Sequence, residues 1–280
     1  MLWQTAVIIW RESVEALLVI GILHAWLVHE AGEQGRSRGT LYLWGGVIAG
    51  LAAAVGLGAV LVFAEDLFGD EGQDYFQAAM VLVAAVLIVQ MVVWMRRHGR
   101  TLKKDITSGL TQASQSEHWW GVFALALIAV AREGSETAVF LYGSLAGASG
   151  ATFWGTALTA ALGFGAALAT YFLLQLGSKL FSWRRFFVFT EVTLLLLAFS
   201  LLLTGVDRLA GLGLLPFSTA PLWDSSALLN DTSTAGSLIA TLTGYRARPD
   251  ASQLVVAILY WGLIAWLLRG KRSPQAVKVA

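Results

Sequence analysis

The chain has 280 residues, of which 57% are hydrophobic and only 13% charged, with a formal net charge of +1. A soluble domain carries about 25% charged residues, so most of this surface faces something other than water, and a mean hydropathy of +0.68 agrees. The near-neutral balance gives no broad basic field and therefore no nucleic-acid partner, and the absence of cysteine excludes disulfides, thiolate metal sites and cysteine nucleophiles.

Apolar runs long enough to cross a hydrocarbon core of about 30 Å recur along the chain. Seven spans are predicted, at roughly 2–28, 41–63, 76–95, 119–146, 152–176, 187–206 and 252–268. The first opens MLWQTAVIIW without a basic n-region and continues past Arg11, Glu12 and Glu15 to Val28, so it reads as a retained span. Span 2 holds Gly46 and Gly50, a G-x-x-x-G that weakly signals close helix packing. The connection after it carries Glu65, Asp66, Asp70, Glu71 and Asp74 with no base, and reads either as a solvated loop or as a mouth that concentrates cations. Span 3 holds Gln77, Gln90 and Met91, which either line a path or pack. His24 and His29 in span 1 are packing or interfacial candidates. Glu191, near the inner end of span 6, is a candidate pathway residue. The segment 207–250 is polar and is expected outside, as short helices or a plug. Trp and Tyr near several span ends, among them Trp3, Tyr42, Trp94, Trp119 and Trp266, form the expected aromatic belt.

Lys and Arg are unevenly shared between the connections. Fourteen follow spans 1, 3, 5 and 7, and three follow spans 2, 4 and 6. The bias places the N-terminus outside and the C-terminus in the cytoplasm, which an odd number of spans requires. Span 1 contains WRESVEALLVIG and span 4 contains AREGSETAVFLYG, with Arg11 and Arg132 separated by 121 residues. Three spans lie within that distance, so the two copies point opposite ways. The expected fold is an all-α integral membrane protein of seven transmembrane helices. It consists of an inverted 3+3 repeat (repeat A about 1–95, repeat B about 119–206), the external segment 207–250 and a C-terminal span at 252–268. Such repeats characterise transporters, whose sites lie near the midplane between the repeats.

The charges inside spans 1 and 4 carry the chemistry. Arg11 lies about 15 Å into its span, where an isolated charge costs several kcal/mol. Arg11 with Glu15, and Arg132 with Glu136, are i,i+4 and can pair on one helix face. Glu12 and Glu15, and Glu133 and Glu136, are i,i+3, so two carboxylates share a neighbouring stripe in each motif. Each motif sums to −1. Three readings account for this: a structural ion-pair network, a proton relay, or a bound hard cation that neutralises the excess. The surplus glutamate in each motif favours the cation. Oxygen ligation alone does not separate Fe(III) from Ca, Mg or Mn. The chain has no P-loop, no G-x-S-x-G and no H-E-x-x-H, so it reads as a transporter and not an enzyme.

Arg11-Glu12-x-x-Glu15 and Arg132-Glu133-x-x-Glu136 resemble the motifs of the oxidase-dependent iron transporters, the fungal high-affinity iron permeases and bacterial EfeU-type permeases. FQAAMVLVAAVLIVQMVVWMRR looks like the family's third span, and LWDSSALLNDTSTAGSLIATLTGYRARP looks like the segment before its last span. The resemblance implies import of iron, as transported substrate and without a tightly bound cofactor, across the cytoplasmic membrane. It implies Glu12, Glu15, Glu133 and Glu136 as iron ligands, with Arg11 and Arg132 as their partners. It also implies an external oxidising partner, a multicopper oxidase, cupredoxin-like protein or haem peroxidase, that makes Fe(III) from Fe(II). Two departures bear on ion preference: Ser13 stands in the usual glycine place, and Gln77 where family members often carry glutamate. The alternatives are a permease for another divalent ion such as Mn, and a membrane redox enzyme or sensor with an iron site.

Overall fold

The structure, a computed structural model, describes residues 2–30, 32–98, 119–146, 153–175, 183–214 and 220–269. The basic connections at 99–118, 176–182 and 270–280 lie outside the described residues, as do the side chains of His29, Asp70 and Glu71. Among the described residues eight helices follow one another. They are α1 (Leu2–Glu30), α2 (Gly32–Asp66), α3 (Asp70–His98), α4 (Trp120–Ala146), α5 (Phe153–Gln175), α6 (Trp183–Gly211), α7 (Thr234–Thr243) and α8 (Ala251–Arg269). The extended structure described is a single bridge between Pro221 and Asp250.

Helices cover each of the apolar runs, with two differences at the ends. α2 starts at Gly32, well before the apolar stretch, because the polar sequence GEQGRSRGT continues the helix without being hydrophobic. α6 runs on to Gly211, beyond the apolar run that marks its span. Five helical stretches, within α2, α3, α5, α6 and α8, are long and apolar enough to cross a membrane. α1 and α4 have 29 and 27 residues, and each carries the three charges of a motif.

The surface behaves as lipid-facing surface. Leu41, Ile48, Val55 and Val62 recur every seven residues on α2 and all are exposed. A contiguous apolar stripe of this kind on a soluble monomer would mark an aggregation-prone patch; here it is the face a bilayer covers. The protein is thus an all-helical, multi-pass membrane protein.

Lipid supplies no hydrophobic force between helices, so close approach at small residues holds them together. Gly46 and Gly50 bring α2 onto α4: a Cβ at Gly46 would collide with the Phe123 carbonyl oxygen, and one at Gly50 would meet Val130 Cβ at 2.9 Å. Further along, Gly134 faces Ala54. Residue numbers rise together along this contact, so α2 and α4 run the same way. The same holds for α1 and α5, where Gly163 approaches Ala6 and Ile9, and Gly21 approaches Tyr171. α3 runs against α4 and α6, with Gly143 near Ala84 and Gly205 near Leu82. One buried cluster joins Ile8, Val81, Ala84, Phe140, Leu197 and Tyr260 across five helices.

The described residues 220–250 fold back onto the helices. α7 is capped by Ser233, whose side chain accepts from Gly236 N, and ends at Gly244 with φ of 74°. That left-handed turn suits glycine. Gly244 lies against Phe199 and Ser200 of α6, and Gln4 Nε2 of α1 donates to Thr241 O at 2.5 Å.

Candidate metal centre

The two motifs face one another across the α1–α4 contact. In α1, Arg11 Nη1 lies 2.7 Å from Glu12 Oε1 and Nη2 lies 2.5 Å from Glu15 Oε1. In α4, Arg132 Nε lies 3.1 Å from Glu136 Oε1 and 3.9 Å from Glu133 Oε1. Both i,i+4 pairs therefore form, and each arginine also reaches the adjacent glutamate.

The surroundings of the two arginines differ. Arg11 is enclosed and donates through Nη1 to Met91 Sδ and through Nη2 to Met95 Sδ at 3.5 Å. Thioether sulfur is a weak acceptor, so it holds the guanidinium without competing strongly with the carboxylates. Arg132 is partly exposed, and its guanidinium carbon lies 4.2 Å from the centroid of the Trp94 ring. Such stacking contributes about 0.5–1 kcal/mol at exposed sites.

Glu12, Glu133 and Glu136 each offer a carboxylate oxygen within 4.8 Å of the other two. Each also keeps one buried oxygen, Oε2, with no hydrogen-bond partner among the described residues. Buried polar atoms are nearly always satisfied, so three orphans on three converging acids are a marked exception. A hard cation with several oxygen ligands at 2.0–2.6 Å can satisfy such a set. Glu15 is not part of this trio and sits beside Arg11. His24 is exposed and takes no part in the cluster.

The remaining expected residues lie in separate networks. Glu191 Oε1 pairs with Arg96 Nη1 at 3.2 Å, between α6 and α3. Gln77 Nε2 donates to Glu65 Oε1 at 2.5 Å, and Gln77 Oε1 accepts from Arg208 Nη1 at 2.7 Å. Tyr142 OH donates to the other Glu65 oxygen at 2.7 Å. Glu65 is therefore committed to a network across α2, α3 and α4 and is not a free member of the acidic stretch. Sequence reasoning missed the hold of Met91 and Met95 on Arg11. Their i,i+4 spacing in an otherwise aliphatic span was the available signal.

The fold and centre define a helical membrane protein built around a buried acidic trio. A family model described as the iron permease FTR1 family matches residues 2–269. The chain belongs to that family. It is similar to the ferrous iron permease EfeU of Escherichia coli O6:H1 (strain CFT073), at 29% identity over 273 residues and 96% of both chains. It is likewise similar to the ferrous iron permease EfeU of Shigella sonnei (strain Ss046), at 28% identity over 274 residues, covering 96% of this chain and 97% of that one. No solved structure matches.

Proposed function

We propose that this protein imports iron across the cytoplasmic membrane through a site formed by Glu12, Glu133 and Glu136, with Glu15 as a fourth carboxylate. The observation that carries the reading is the trio itself: three acids within 4.8 Å, each with a buried unpartnered oxygen. Four glutamates against two arginines leave an excess of −2 in a place where charge is costly. A passing cation neutralises it. Iron is the cargo because the chain belongs to an iron permease family and its relatives are named ferrous iron permeases.

The architecture we propose is seven spans, with α1–α3 and α4–α6 as an inverted repeat and α8 outside it. The N-terminus lies outside and the C-terminus in the cytoplasm. A glycine pair supports this. Gly50 of α2 approaches Leu127 O and Val130 Cβ, and Gly163 of α5 approaches Ala6 O and Ile9 Cβ. Leu127 and Val130 stand 121 residues after Ala6 and Ile9, the spacing that also relates Arg132 to Arg11. The second helix of each repeat thus meets the motif helix of the other at corresponding atoms. Rocking of the repeats about the α1–α4 contact exposes the trio to either side in turn.

The passing ion is Fe(III), produced when an external oxidising partner takes one electron from Fe(II). Carboxylate ligation suits that hard ion. A second reading, passage of Fe(II) itself, is favoured by the name of the similar relatives, ferrous iron permease. Iron flux into proteoliposomes with and without a ferroxidase separates the two. Flux that requires the ferroxidase supports Fe(III), and flux that is indifferent to it supports Fe(II). Failure of iron to outcompete Mn would assign another cargo. Bound iron with no flux would assign a redox or sensing role.

A further inference from the structure

Two more polar side chains are buried on α1, before the motif. Gln4 is 3% exposed and Thr5 0%. Gln4 Oε1 and Thr5 Oγ1 have no hydrogen-bond partner among the described residues. The orientation of the Gln4 amide is fixed, since its nitrogen donates to Thr241 O and only the NH₂ end can do so. The amide oxygen is therefore the unpartnered atom. Thr5 precedes Glu12 by seven residues. Seven residues are close to two turns, so both side chains lie on one face about 10 Å apart along the axis.

The C-terminal turn of α7 reaches Gln4. Its Thr241 carbonyl holds Gln4, and its Gly244 cap rests on Phe199 and Ser200. The C-terminal end of a helix carries partial negative charge. In transporters, the C-terminal ends of half-helices take part in coordinating small cations. The surroundings are thus oxygen-rich and slightly negative, without a formal charge on Gln4 or Thr5. The offset that relates Arg11 to Arg132 maps Gln4 and Thr5 onto Leu125 and Ala126. Repeat symmetry does not account for the polar pair, which is present on one side of the trio only.

We propose that Gln4 Oε1, Thr5 Oγ1 and the C-terminal turn of α7 form an outer station that takes a partly hydrated iron cation and passes it to Glu12, Glu133 and Glu136. Neutral oxygens hold such an ion weakly, and the negative trio two turns deeper draws it on. The inference rests on the permease reading above and adds the step that precedes ligation by carboxylate.

The test is iron uptake into proteoliposomes, with Fe(II) and a ferroxidase supplied outside, by Thr5→Val, Thr5→Ser and Glu133→Gln. Thr5→Val keeps the shape and removes the oxygen, and Thr5→Ser keeps the oxygen. The expected result for Thr5→Val is a KM about five- to tenfold higher with the maximal rate retained, while Thr5→Ser stays close to the parent. Should the valine variant fail to insert, Thr5→Ala removes the same oxygen. An unchanged KM in Thr5→Val, or equal impairment of Val and Ser, overturns the station. Full uptake by Glu133→Gln overturns the carboxylate site and the station with it, so the two failures are distinct.

Discussion

Arg11 and Arg132 hold the same place in the two motifs, yet Arg11 is 1% exposed and Arg132 is 38% exposed. Arg11 is locked between two carboxylates and two thioethers, whereas Arg132 lies over an indole ring. Arg11→Ala strands Glu12 and Glu15 without compensation. Removing one partner of a buried ion pair costs about 3–5 kcal/mol. Arg132→Ala removes the 3.1 Å pair with Glu136 and a cation–π contact from a less enclosed guanidinium, a smaller loss than at Arg11. Thermal unfolding of the purified protein in detergent is expected to show a large drop for Arg11→Ala and a small one for Arg132→Ala.

Glycine substitutions on α2 separate packing from propensity. A Cβ at Gly46 has no room against α4, while Gly56 meets nothing within 4 Å. Gly46→Ala is expected to destabilise by about 1–3 kcal/mol through overpacking. Gly56→Ala is expected to be neutral or to stabilise by up to about 1 kcal/mol, since alanine favours helix. Unfolding temperatures of the two variants check both signs.

The segment after α6 has its own pH dependence. Asp224 accepts from Ser226 Oγ at 2.5 Å, from Ser226 N at 2.9 Å and from Arg248 Nε at 3.0 Å. The Ser226 bonds first, and the Arg248 charge after them, hold its carboxyl below the ordinary value of 3.8. The folded segment therefore prefers the ionised form. Its contribution is present above 3.8 and is lost as pH falls through the lower folded value. Pepsin cleavage within 220–250 is expected to accelerate only in that acidic window. Asp224→Asn is expected to abolish the pH step.

The membrane helices are legible in the sequence because an apolar run of spanning length seldom forms except where it crosses a bilayer. α7 was legible only as one of the short helices or the plug expected in 207–250, because ten residues are too few for a spanning run and its burial depends on contacts with Gln4 and Ser200. The paired motifs announce themselves as six charges in apolar surroundings. That Glu12 joins Glu133 and Glu136 while Glu15 stays with Arg11 is a matter of helix rotation, which spacing within one helix leaves open. Gln77 likewise reads as one polar residue in a span, and its link between Glu65 and Arg208 needs three helices in place.

The central claim is that the acidic trio binds the ion. Equilibrium binding of iron, offered as ferric citrate, to the purified protein tests it most directly, with Glu12→Gln and Glu133→Gln beside the parent. Glutamine keeps the size and removes the charge. The expected result is at least a tenfold loss of affinity in each variant, about 1.4 kcal/mol. Binding equal to the parent in both variants would contradict the account.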